Sequence, residues 1–205
     1  MIRRRNRRVL SLFTVLVTLA GAHTGLAQRG SAAPRPAGAP KPATKPATKP
    51  APKPATVRAP QGETVSGISC DAMEGARMHT HQHLVLIDHG KELTIPDNVG
   101  QRPDRNCLYW IHTHTADGII HIEAPQPRTF TLGDFFTIWG QPLDRTQAAT
   151  MRAAKGEGGS LKVWVNGQPY TGDPRAIPLL VHADIVIEAG PPFIPPPKFT
   201  NWGTL

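Results

Sequence analysis

Histidines at alternate positions are the feature of this sequence that bears most directly on chemistry. The run "HTHQHL" places His79, His81 and His83 two residues apart. A second run, "HTHTADGIIHIE", begins about thirty residues later, and together the two runs hold six of the nine histidines. Alternate residues of a β-strand project from the same face of the sheet. Each run therefore predicts a strand that presents a row of imidazole rings on one face.

The second run predicts a β-hairpin whose polar residues share one face. Asp117-Gly118 is a strong signal for a two-residue turn, and this turn would place His114 opposite His121. A four-residue loop, Thr115–Gly118, would instead place His112 opposite His121. In both registers Ile111, Ile120 and Ile122 lie on the opposite face, which we expect to be the core. The polar face then carries His112, His114, His121 and Glu123.

A metal site explains these imidazoles better than packing does. Every ring has a lone pair and an N–H group to satisfy. Neutral imidazole is the commonest metal ligand, and a carboxylate often joins it. The alternatives are a solvated polar strand face and core histidines bonded to the backbone. We predict a site formed by His79, His81, His83, His112, His114, His121 and Glu123.

The remaining three histidines are assigned other roles. His89-Gly90 occupies the place of Asn-Gly in a type I′ turn, and histidine tolerates the positive φ angle that this turn needs. His182 stands alone in "LLVHADIVI", so we expect a structural role. His23 lies in the N-terminal apolar segment.

A nitrogen-rich site favours copper or zinc. Imidazole ligands suit Cu(II), Zn(II), Ni(II) and Fe(II), and Cu(II) stands highest in the affinity order. Met78 points away from His79 in a strand, which argues against a soft copper(I) site. A site of unperturbed imidazoles would lose metal affinity as the pH falls through about 6.5, because protons compete with the metal for the ring nitrogens.

The N-terminal part of the chain predicts export. Five arginines precede an apolar run and the small residues of "GLA", the pattern of a signal peptide over residues 1–27. Residues 28–60 are almost entirely Pro, Ala, Lys, Thr and Gly, which predicts a disordered tether. Its lysines suit weak contact with an anionic envelope surface. We expect a periplasmic or extracellular protein.

Nucleic acid is excluded as a partner by the charge distribution. The chain carries a net charge of +8, yet all 15 acidic residues lie beyond residue 61. Residues 61–205 hold 11 basic against 15 acidic residues, a net charge of −4. A folded nucleic-acid-binding domain needs a basic patch instead.

Two cysteines predict one disulfide. Cys70 and Cys107 are the only cysteines, and an even pair in an exported chain favours a bridge over thiolate metal ligands. A bridge across this loop would stabilise the fold by about 3–4 kcal/mol in the chain-entropy model. It would also bring together the N-terminal ends of the two histidine runs.

Residues 61–205 predict a small, mainly β (α+β) domain of hairpins with one or two short helices. The turns His89-Gly90 and Asn166-Gly167 precede the similar segments "KELT" and "QPYT", which suggests two related β sub-structures. Thr131 and Gly140 bound a predicted helix. A second helix is predicted from about Arg145 to Ala154. The proline-rich C-terminus is expected to lie irregularly along the domain by its aromatic residues.

Three runs resemble a group of exported bacterial proteins of uncharacterised function. They are "HTHQHL", "YWIHTHTADGIIHIEAP" and "FTLGDFFTIWG", and the resemblance spans about residues 70–192. The resemblance places the seven predicted ligands on histidine-rich positions of that group. Its members usually have Asp where this chain has Thr115. The resemblance implies a shared domain and no particular activity.

Three classes of function are compatible with these features. The first is a protein that binds, buffers or delivers a transition metal in the cell envelope, which the surplus of histidines favours. The second is a metal-dependent enzyme, cupin-like, with an open ligand position and Glu123 or Asp117 as general base. The third is an envelope interaction module with a structural metal. The number of ions per chain and an open ligand position distinguish them.

Overall fold

The structure is a computed structural model that describes residues 58–154 and 159–204. The predicted signal peptide and nearly all of the predicted tether lie outside these residues. The described chain is mainly β, with one α-helix, α1 (Leu132–Trp139), and two 3₁₀ turns at Pro103–Arg105 and Pro174–Ala176. No helix in this described part is long and apolar enough to cross a membrane.

Twelve strands build three sheets in the described part of the chain. In chain order they are β1 (Cys70–Asp71), β2 (Met78–Asp88), β3 (Lys91–Leu93), β4 (Gln101–Arg102), β5 (Cys107–Tyr109), β6 (Ile111–His112), β7 (Ile119–Ala124), β8 (Gln147–Ala148), β9 (Met151–Arg152), β10 (Lys162–Val165), β11 (Gln168–Pro169) and β12 (Asp184–Ala189). The main sheet runs β11-β10-β12-β2-β7-β6, and β3 also pairs with β2. The other two are β1-β5-β4 and β8-β9.

The long strand β2 organises the main sheet. Its N-terminal half pairs with β7, from Met78 to His83, and its C-terminal half pairs in parallel with β12. Leu84 and Leu86 face the main core, whereas Val85 and Ile87 face a smaller apolar cluster with Val186. The C-terminal half of β2 is therefore buried on both faces, which explains its continuous run of apolar residues.

Two tight turns form as predicted. His89 and Gly90 have φ angles of 50° and 77°, and Asn166 and Gly167 have 52° and 74°. These turns join β2 to β3 and β10 to β11, both antiparallel. In each set a later strand, β7 or β12, also pairs antiparallel with the first strand. The two sub-structures therefore share a turn and a pairing pattern. They differ in one respect: β7 lies on the same side of β2 as β3, whereas β12 lies on the other side of β10 from β11.

Helix α1 has the predicted ends. The Thr131 hydroxyl accepts a hydrogen bond from Asp134 N at 3.2 Å, and the Asp134 carboxylate accepts one from Thr131 N at 3.0 Å. Gly140 ends the helix with a φ angle of 72°. The helix buries Phe135 and Phe136 in the main core, which fixes it beneath the sheet.

The second predicted helix is wrong. Residues 147–152 form the antiparallel pair β8-β9, with Ala149 at a φ angle of 50° in the turn. The Asp144 carboxylate accepts hydrogen bonds from the backbone N–H groups of Thr146 and Gln147. This local capping offers the backbone an alternative to the helix, an effect that Asp produces readily in turns.

The disulfide and the C-terminal aromatic residues fasten the edges of the domain. Cys70 and Cys107 are bonded, with their Cα atoms 5.3 Å apart, so the predicted bridge is present. It joins β1 to β5. At the C-terminus, Phe199 stacks on His83 and Trp202 stacks on His182. The predicted packing of the tail by its aromatics is confirmed.

The structure sharpens the boundary between tether and domain. Pro60 is buried, and its carbonyl accepts a hydrogen bond from Arg102 at 3.3 Å.

We expect a chain that begins at residue 58 to melt at the same temperature as one that begins at residue 28. A chain that begins at residue 61 should melt about 3 °C lower or more, because it loses roughly 1 kcal/mol of packing. Calorimetry of the three chains tests this, and equal melting temperatures for the chains that begin at residues 58 and 61 would contradict it.

Candidate metal centre

The histidines occupy one face of three adjacent strands. Strand β7 lies between β2 and β6, and the register places His121 opposite His81 on one side and His112 on the other. Two pairs along, on the same face, His79 lies opposite Glu123. The observed pairing of His112 with His121 is the register of the four-residue loop. The predicted core isoleucines, Ile111, Ile120 and Ile122, are fully buried on the opposite face.

The first group of potential ligands consists of His79, His81 and His121, whose ligand atoms all lie within 4.8 Å of one another. The Nε2 atoms of His79 and His81 are 3.1 Å apart. The ring of His121 meets that of His81 edge-on at 4.5 Å. His79 is exposed, while His81 is buried and His121 is half-buried, so this group opens to solvent on one side.

The second group consists of Glu74, His112, His114 and Glu123, again within 4.8 Å of one another. The Nε2 atoms of His112 and His114 are 3.2 Å apart. The His112 Nε2 atom lies 3.5 Å from Glu123 Oε2, and the His114 Nε2 atom lies 3.9 Å from Glu74 Oε1. His112 and Glu123 are buried, whereas His114 and Glu74 are exposed, which suits a site that an ion enters from solvent.

These distances fit a bound ion. With bonds of about 2.0–2.1 Å, two nitrogen ligands of a tetrahedral zinc ion lie about 3.3 Å apart. The Nε2–Nε2 separations of 3.1 and 3.2 Å are close to that value. The tautomer of His112 is also set for binding, because its Nδ1–H can only donate to the Tyr109 carbonyl, 2.8 Å away. Its Nε2 lone pair therefore points into the site.

Two buried atoms of the site have no hydrogen-bond partner. They are His121 Nδ1 and Glu123 Oε2. Leaving a buried polar atom unpaired costs about 1–3 kcal/mol, so native structures keep few of them. Gln82 Oε1 and Glu188 Oε2 are also buried and unpaired, but His121 and Glu123 alone among these four residues belong to the two groups, where a cation would satisfy an unpaired lone pair.

Electrostatics keep the buried imidazoles neutral. Burial lowers the pKa of His112 to about 4, with a smaller contribution from His114. Burial, and then His114 and His81, lower the pKa of His121 to about 3. Both rings therefore stay neutral, each with a nitrogen lone pair, well below about pH 6.5, where an ordinary histidine is half protonated. Burial, followed by the nearby Glu74 carboxylate, raises the pKa of Glu123.

Glu74 is the member that sequence analysis missed. It precedes β2 in the segment "EGAR" and belongs to no alternating pattern. Gly75 allows the approach: a Cβ atom there would lie 2.2 Å from the Ala124 carbonyl carbon. Gly75 N also donates to the Glu123 carbonyl at 3.3 Å. The glycine was the only local signal, and its meaning depends on a contact made 49 residues away.

His83 lies apart from both groups among the described residues. Its Nδ1 atom is 3.0 Å from Asp184 Oδ1, and its ring stacks on Phe199 at 4.0 Å. The structure therefore brings together six of the seven predicted ligands and leaves His83 in a separate buried pair. His89 lies in its turn beside Asp88, and His182 stacks on Trp202, so neither joins the site.

A cavity adjoins the two groups. It has a volume of about 290 Å³ and is lined by Glu74, Gly75, Ala76, His79 and Glu123. A larger apolar cavity of about 420 Å³, lined in part by Trp164 and Tyr170, is touched by none of the histidines. The smaller cavity gives solvent and small solutes access to the ligand atoms, and we assign it as the mouth of the site because three of the potential ligands line it.

Comparison of the chain with family models, curated proteins and solved structures finds no match. The site is therefore defined by its own geometry: five residues from three adjacent strands, His114 just after β6, and Glu74 before β2, arranged in two groups that could each hold a metal ion.

The neutral burial of His112 predicts a pH-dependent stability. Its pKa is about 4 in the folded protein and about 6.5 when unfolded, so the unfolded chain binds more protons between these values. Stability is therefore full above pH 6.5 and falls as the pH drops towards 4. We expect one histidine to contribute up to about 1.4 kcal/mol per pH unit.

Urea unfolding of the metal-free protein between pH 7 and 4.5 tests this. The variant His112→Gln should show a shallower decline, whereas His89→Gln, which alters an exposed turn histidine, should match the wild type. The raised pKa of Glu123 acts in the opposite direction and is common to all three proteins. Identical slopes for wild type and His112→Gln would contradict the assignment.

Proposed function

We propose that this protein is an exported transition-metal-binding protein that uses the histidine face of β2, β7 and β6 to bind, buffer or deliver copper or zinc in the cell envelope. The observation that carries the proposal is the convergence of five imidazoles and two carboxylates into two groups, each with ligand atoms within 4.8 Å. Packing gives no reason for such a concentration, because each buried ring must be desolvated and then paired.

The donor set supports copper or zinc. All the donors are imidazole nitrogens and carboxylate oxygens, and the only two cysteines form the disulfide. Cu(II) and Zn(II) both bind imidazole well, whereas Mg²⁺ and Ca²⁺ prefer an all-oxygen shell. The low pKa values of His112 and His121 also mean that an ion meets little competition from protons at these two rings at neutral pH.

Several features support the location in the envelope. A structural disulfide persists in oxidising compartments, and Cys70–Cys107 is such a bond. The basic and apolar N-terminal sequence has the pattern of a secretory signal. We propose that the Pro/Lys-rich segment then holds the metal-binding domain away from its surroundings and makes weak contacts with anionic surfaces. The resemblance to the exported bacterial group agrees with this location.

The cavity favours a metal-dependent enzyme as the second candidate. It opens onto His79, Glu123 and Glu74, so an ion in either group would have a face accessible to a small molecule. Catalytic metal sites keep such an open position, and a nearby carboxylate can accept a proton from bound water. Glu74, about half exposed, is placed for that role, whereas Asp117 accepts hydrogen bonds from Thr115 and Ile119 within its loop.

Replacement of single histidines tests the proposed binding site. His114→Ala should weaken Zn(II) and Cu(II) binding by more than the 10–100-fold that is typical when a residue supporting a ligand is lost. His114 is partly exposed, so the variant should fold normally. His89→Ala and His182→Ala should bind as the wild type does, because both side chains lie outside the two groups.

Isothermal titration of the metal-free proteins with each ion measures these affinities. Circular dichroism of every variant shows whether the fold is retained. Equal affinities for the wild type and His114→Ala would contradict the assignment of the metal site to this face.

A further inference from the structure

Glu123 stands between the two groups. Its Oε1 atom lies 3.0 Å from His79 Nε2, which belongs to the first group. Its Oε2 atom lies 3.5 Å from His112 Nε2, which belongs to the second. The carboxylate is buried, with a side-chain exposure of 6%. One side chain thus directs one oxygen towards each group.

A cation suits the contact between the ionised Glu123 carboxylate and His112. His112 donates its Nδ1–H to the Tyr109 carbonyl, so in the neutral ring Nε2 carries a lone pair. That lone pair faces Glu123 Oε2, which has no hydrogen-bond partner. Two acceptors that face each other at this distance repel. A metal ion between them turns the repulsion into two coordinate bonds.

His121 brings the groups close together. Its ring meets His81 of the first group at 4.5 Å and His114 of the second at 4.4 Å, both edge-on. The groups are therefore contiguous across neighbouring strands, which lie about 4.8 Å apart in a sheet. Paired ions in two-metal sites lie about 3.5–4 Å apart, a separation that this face can accommodate.

Charge also favours two ions that share ligands. Glu123 and Glu74 are the acidic members of the second group, and five imidazoles complete the two groups. Two divalent ions would leave the pair of groups with a positive charge. Two isolated buried dications so near each other would repel strongly, and an anion between them reduces that repulsion.

We propose that the two groups form one dinuclear centre, in which Glu123 bridges two divalent transition-metal ions. One ion is held by His79, His81 and His121, and the other by Glu74, His112 and His114. This inference rests on the proposed metal-binding function and adds that the two ions bind as a coupled pair.

Titration of the metal-free protein with Cu(II), followed by native mass spectrometry and electron paramagnetic resonance, tests the proposal. The wild type should bind two ions per chain. At two equivalents the spectrum should lose the signal of isolated Cu(II) or gain a half-field transition, since a carboxylate bridge couples the two spins. Glu123→Gln should bind one Cu(II) tightly and give the signal of an isolated ion, because the second ion is repelled by the first when the anion between them is removed.

Two control variants keep the test decisive. Glu188→Gln also removes a buried carboxylate, on the same face of the sheet and on the strand at the other side of β2, and should leave the coupling intact. His114→Ala removes one partly exposed ligand of the second ion and should yield one strongly bound, uncoupled ion. If Glu123→Gln does not fold, the wild-type and His114→Ala spectra still decide the question.

The outcomes separate the two claims. One ion per chain, two uncoupled ions in the wild type, or coupling retained in Glu123→Gln would overturn the bridged centre while leaving metal binding intact. Failure of the folded wild type to bind Cu(II) or Zn(II) at all would overturn the proposed function as well.

Discussion

The register between β2, β7 and β6 is the constraint on which the candidate site depends. Ile111 pairs with Ile122, and both are fully buried in the main core. Because the side-chain period of a strand is two, a slip of one residue would turn these isoleucines to the histidine face and bury the histidines in the core. The apolar core on the opposite face of the sheet therefore fixes the position of each imidazole.

The site is maintained at some expense of stability. His112 is completely buried as a neutral ring, and two polar atoms of the site lack partners. Each of these features opposes folding of the metal-free chain. The disulfide Cys70–Cys107 and the dense packing of α1 against the sheet offset that effect. A metal ion that binds only the folded state would add stability in proportion to its concentration and affinity.

Local patterns were sufficient to predict much of this architecture. The alternation of His79 and His81, the turn at His89-Gly90 and the caps of α1 each depend on residues close in sequence, and all are present. The hairpin was limited to two registers, and the pairing of His112 with His121 matches one of them. Strand period and turn chemistry are thus sufficient to locate the histidine face in the sequence.

Two of the failures depend on distant contacts. His83 continues the pattern of His79 and His81, but β12 begins to pair with β2 at this point and supplies Asp184 as its partner. Glu74 reaches the site only because Gly75 passes against Ala124. The His83 contact has no local signal in the sequence, and Gly75 is a local signal for the Glu74 contact that gains its meaning only from Ala124. The second predicted helix fails for a local reason instead, because the Asp144 carboxylate accepts hydrogen bonds from the next turn of backbone and stabilises a turn there.

X-ray absorption spectroscopy of the zinc-loaded domain tests the central claim most directly. The account predicts nitrogen and oxygen ligands at about 2.0–2.1 Å, together with the outer-shell scattering that imidazole rings produce. It also predicts no sulfur ligand at about 2.3 Å. A zinc environment of oxygen atoms alone, without imidazole scattering, would contradict the assignment of the metal to the histidine face.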